Sequence, residues 1–137
     1  MLDQATRDRF DALLEEAIEQ LPPPVRALLD EVPVVALDRP TPQMLRELGV
    51  DPGDEEAALE LCGLHTGVAA TERPIDRSGE LPSEIHLFRE GILDLAGGFD
   101  QPDADDVVYE EIMVTLLHEI GHEFGLSEED LDQLGYS

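Results

Sequence analysis

Five consecutive residues, His118-Glu119-Ile120-Gly121-His122, carry the most specific chemical signal in this 137-residue chain. On a helix, positions i and i+4 lie on one face a turn apart, so both imidazoles can reach a single Zn²⁺. Glu119 is offset by one residue and reaches a water beside the metal, where it can act as general base. Two ligands do not complete a site. Gly125 supplies a bend just past His122, and Glu128 follows three residues later, ten after His118. The ligands expected are His118, His122 and Glu128 around one zinc ion, with water in the fourth position. Glu129, Asp130 and Asp132 are alternative third ligands.

The segment that presents these residues reads as a helix from Val107 to Phe124. It is apolar on most sides and therefore central to the domain. The acids ending at Asp106 suit its positive N-terminus, and Gly125 suits a left-handed stop. Ser127 with Asp130 looks like the cap of a last short helix, Glu128 to Leu134. At the other end, Phe10, Leu13, Leu14, Ala17, Ile18 and Leu21 form the stripe of an amphipathic helix. Pro22, Pro23 and Pro24 stop it, and Pro24 to Asp30 can open a short second helix. Thr41 and Pro42 look like an N-cap and a first helical residue, with Gly49 as the stop. Three apolar segments read as strands: Val32 to Leu37, Leu61 to Val68, and Ser83 to Arg89. Thr71 to Pro82 reads as a hairpin connection, and Val50 to Glu60 as an acidic loop with at most one helical turn.

These segments resemble, in the same order, the small bacterial zincin-like metallopeptidases: Val34-Val35, then LCGLHTGV with Thr71-Glu72-Arg73, then SEIHLFREGIL, then VTLLHEIGHEFGLSEEDL. The resemblance implies a minimal single-domain zincin spanning residues 1–137. Its fold is α+β, with N-terminal helices, a mixed or antiparallel sheet of three or four strands packed on the central helix, and a short C-terminal helix. It implies a zinc-dependent metallopeptidase without a Met-turn, in which a C-terminal Tyr supports the site; Tyr136 holds that position and joins Glu119 as a candidate catalytic residue. The family pattern is similar to that of the Asp-zincins, whereas this chain has Glu at 128. By the same resemblance, the strand Glu84 to Phe88 would hold a substrate backbone by edge pairing. The other reading is a catalytically weak or inactive zincin-like module that binds metal or a basic protein partner.

Other residues of chemical type read as structural. His86 and Phe88 share a strand face, which favours packing. His65 reads as structural, and Cys62 as a small buried residue; as the lone cysteine it can form no internal disulfide. Glu123, Glu128, Glu129, Asp130 and Asp132 read as a solvated acidic face around the site.

The chain carries 33 acidic residues against 8 basic ones, for a formal net charge of -25. All the basic residues are Arg. Such a surface repels phosphates and anionic lipid, so nucleic acid and membrane are disfavoured as partners. A peptide or protein substrate, basic rather than acidic, is favoured, and a homodimer is left open. The N-terminus lacks a basic segment followed by an apolar stretch, and no apolar run approaches membrane-spanning length. A cytoplasmic protein is the expectation. Self-repulsion of this size weakens the compact state at low ionic strength. The melting temperature therefore rises from low to moderate NaCl in a thermal scan; a flat or falling value would contradict this.

Overall fold

A computed structural model describes residues 2–66 and 84–133. The element order is α1 (Gln4–Glu19), α2 (Pro23–Leu28), β1 (Val34–Leu37), α3 (Pro42–Glu47), α4 (Glu55–Glu60), β2 (Gly63–Thr66), β3 (Glu84–Phe88), α5 (Arg89–Ala96), α6 (Ala104–Phe124) and α7 (Glu128–Gln133). The segment read as a hairpin connection, Thr71 to Pro82, lies outside the described residues. The α+β expectation is met by helices packed on a small sheet.

That sheet has three strands in the order β1-β3-β2. β1 runs parallel to β3, with Val34 opposite Ile85, and β2 runs antiparallel to it, with Gly63 opposite Leu87. The sheet is therefore mixed. The purely antiparallel alternative is corrected, and no fourth strand occurs among the described residues. The edge role expected for Glu84 to Phe88 is corrected as well. β3 is the central strand, hydrogen-bonded on both sides, so its backbone has no free edge for a substrate. Among the described residues β2 pairs only with β3 and so lies at one side of the described sheet.

Alternation along β3 separates two environments. Ile85 and Leu87 enter the main core with Phe10 and Leu14 of α1 and with Ile112, Leu116 and Ile120 of α6. His86 and Phe88 point to the opposite face and are buried there. β3 then runs directly into α5, an element that sequence pattern did not indicate.

Local signals account for most helix ends. Asp3 accepts from Thr6 N at 2.8 Å, Thr41 from Met44 N at 3.2 Å and Asp54 from Ala57 N at 3.1 Å, each satisfying an otherwise orphan helix donor. The Asp54 cap turns most of the expected acidic loop into α4. α6 begins at Ala104, three residues before the expected start, with Asp105 and Asp106 in its first turn. Its Val114 is 58% exposed, so one face of α6 meets solvent rather than core.

The scarce arginines join distant parts of the chain. Arg7 of α1 grips Asp38 just past β1, with Nη2 2.7 Å from the carboxylate. Arg89, at the start of α5, reaches Asp38 at 3.1 Å and Asp11 of α1 at 2.9 Å. The hydrogen bonds from Arg7, joined by those from Arg89, hold the Asp38 carboxyl below its ordinary value of 3.8 against the opposing effect of burial. A depressed carboxylate stabilises the fold above its unfolded pKa, and that contribution disappears as pH falls through the folded value. Asp38→Asn should therefore cost about 1–3 kcal/mol in urea unfolding at pH 7. The difference from the unmodified protein should be constant down to about pH 5 and shrink below about pH 4. An undiminished difference at pH 3 would contradict the account.

Candidate metal centre

α6 divides into three faces by its period of 3.6 residues. Val108, Ile112, Leu116 and Ile120 lie in the apolar core. Thr115, Glu119 and Glu123, at i, i+4 and i+8, are also buried, and this stripe meets β2 at Gly63. Glu110, Val114, His118 and His122 form the exposed row. One helix thus turns two imidazoles towards solvent and a carboxylate inward, within a single turn.

The His118 and His122 rings lie 4.1 Å apart between centroids at an interplanar angle of 63°. One ligand atom from each of His118, Glu119 and His122 falls within 4.8 Å of the others. Two neutral-capable imidazoles and a carboxylate at this separation suit a borderline-soft divalent ion such as zinc. His118 and His122 are exposed, whereas Glu119 is 6% exposed. The carboxylate is thus held by packing while the two imidazoles remain accessible.

The chain bends as expected after this turn. Gly125 takes φ 66 and ψ 30, a left-handed conformation in which glycine carries no Cβ penalty. Its N–H and that of Leu126 both donate to Gly121 O, the latter at 2.8 Å, while Leu126 packs against the core. Ser127 N donates to Asp130 at 2.9 Å and Asp130 N donates to Ser127 Oγ at 3.1 Å, a reciprocal cap that opens α7. α7 packs back against α6. Glu128 is its first residue, with a side chain outside the described set. Tyr136 lies outside the described residues altogether.

Other expectations resolve by burial. His86 is packed on the sheet face away from α6, its ring 6.5 Å from Phe88 and nearly parallel to it. Burial pushes its pKa down, and Glu84, 3.1 Å away, offsets part of that shift. Cys62 is half-buried, and burial first, then the charges of Glu111 and Asp94, pushes its thiol pKa up. Both fit structural roles. His65 lies in β2 opposite Ile85.

Glu123 corrects the reading of a uniformly solvated acidic face, because it is fully buried. The signal for its placement is helical: it stands one turn beyond Glu119 on the same face. Gly63 is a second residue whose importance the sequence did not show. A Cβ there would lie 2.9 Å from both Glu119 Cγ and Thr115 Cγ2. The absence of a side chain lets β2 lie directly against the carboxylate-bearing face of α6. Gly63→Ala should cost about 1–3 kcal/mol of stability by overpacking. Adding Thr115→Ser, which removes one of the two clashing carbons, should recover part of that loss in urea unfolding. Simple additivity of the two substitutions would contradict direct contact.

No curated protein matches the chain significantly. The sequence profile described as zincin-like metallopeptidase does match, over residues 29–136. The match runs from the end of α2 through β1, the remaining sheet and the His118 helix to the C-terminal segment. With the paired histidines on one exposed row and the buried glutamate between them, this places the chain in the zincin-like metallopeptidase family.

Proposed function

We propose that the protein is a zinc-dependent peptidase that hydrolyses peptide bonds with a water activated beside His118 and His122. The observation that carries this reading is the convergence of the His118, Glu119 and His122 donor atoms within 4.8 Å. His118 and His122 hold the ion in this proposal, and Glu128 closes its ligand set from α7. Zinc, when bound, lowers the pKa of a water towards about 7 and polarises a carbonyl oxygen.

The chain's own groups do the rest. Glu119 accepts the proton of the attacking water and returns it to the leaving amine. Its buried position beside Gly63 fixes the carboxylate, so little ordering is required when substrate arrives. β2 offers an edge whose backbone groups can pair with an extended peptide, next to the face that carries Glu119. Tyr136 is assigned to stabilising the developing oxyanion. The excess of negative charge favours substrates with basic segments.

The test compares bound metal and cleavage of a peptide library in the unmodified protein, His118→Ala and Glu119→Gln. His118→Ala should lose stoichiometric metal. Glu119→Gln should retain it and lose cleavage by about two to four orders of magnitude, the scale of general-base catalysis. Metal bound with no cleavage by any of the three would overturn the peptidase and favour a metal-binding module. Absence of stoichiometric metal at neutral pH would overturn both.

A further inference from the structure

The exposed row of α6 does not end at the histidines. One turn before His118 stands Val114, and beside it Met113, Tyr109 and Glu110 line a hollow of about 350 Å³. Tyr109 and Asp106 also line an adjoining hollow of about 330 Å³, whose far wall is Leu13 and Glu16 of α1 with Gln20 just past its end. The two share Asp106 and Tyr109, so they run on from one another along α6 as a shallow groove that α1 walls at one end. Its floor is apolar: Val114 is 58% exposed, and Tyr109 and Met113 are only partly covered.

The rim of this groove is acidic. Glu16, Asp106 and Glu110 border it. Glu16 lies close enough to Tyr109 for its charge to add to burial in raising the phenol pKa. Arg9 is engaged by Asp105, which also lines the groove, at 2.7 Å. An apolar floor between negative walls fits a chain that is apolar on one face and positive on its flanks. A second copy of this protein fits poorly, because each copy carries a net charge of -25.

We propose that this groove docks a basic amphipathic segment of the polypeptide substrate. The proposal rests on the peptidase reading for the identity of the occupant. The location supports that link: Val114 and His118 are separated by one turn of the same helix, about 6 Å of rise. A segment seated on Tyr109, Met113 and Val114 therefore lies next to the candidate metal centre. The groove supplies affinity for part of the substrate away from the scissile bond, which a small domain with a shallow site otherwise lacks.

The test uses a fluorescent amphipathic peptide of Leu and Arg, about five helical turns long, and a counterpart in which Glu replaces Arg. Binding is followed by anisotropy on the Glu119→Gln protein, so that cleavage does not intervene. The Arg peptide should bind, less tightly as salt rises, and the Glu peptide should not. Val114→Arg should weaken binding by about ten-fold or more. Leu95→Arg, which adds the same charge at a 64% exposed position on α5, should leave it unchanged. Equal effects of the two substitutions, or no binding of the Arg peptide, would overturn the proposal. A homodimer dissolved by Val114→Arg in sedimentation would also overturn it, giving the groove to a second copy. Local binding by a protein that never cleaves peptides leaves the docking groove standing and removes only the peptidase reading, so the two failures are distinguishable.

Discussion

Everything in this molecule depends on α6 serving two environments at once. Its period places Ile112, Leu116 and Ile120 in the core while holding His118 and His122 at the surface. The geometry of the candidate centre is thus fixed by the packing that fixes the fold. Rotating the helix to improve one would degrade the other. Glu119 sits at the boundary: it belongs to the group that can hold a metal, and it is buried against β2 at a glycine that leaves it just enough space. Burying a carboxylate costs free energy.

The rest of the chain secures that helix. α1 lies along α6 and contributes Phe10, Leu14 and Ala17 to the same core. The Arg7–Asp38–Arg89–Asp11 cluster ties α1 to the end of β1 and to the β3–α5 junction. In a chain with so few cations, these pairs concentrate positive charge where elements meet and leave the outer surface negative. The groove along α6 inherits that imbalance, with Glu16, Asp106 and Glu110 at its rim. No helix among the described residues is long and apolar enough to cross a membrane.

Much of the site was legible before coordinates because its signals are local. The i, i+4 histidines, the Gly125 bend and the Ser127–Asp130 cap are all set by neighbours a few residues apart, and each appears where the spacing places it. Thr41 and its following proline are read the same way. What was not legible depends on distant partners. Alternation along SEIHLFR shows a strand but not its neighbours, so it could not check the edge position that the family resemblance implied, where β3 is central. Burial of both His86 and Phe88 is the trace of that central position. α5 escaped because Phe88 begins it with no side-chain cap. Glu123 was counted with the surface acids, since composition carries no information about which side of a helix faces inward.

The most direct test of the account is X-ray absorption at the zinc edge of protein loaded with one equivalent of zinc. The account predicts two imidazole ligands completed by oxygen donors, with both imidazole signals lost in a His118→Ala, His122→Ala variant. Zinc that fails to bind in stoichiometric amount, or binds without imidazole scattering, would contradict the claim that α6 builds a metal centre.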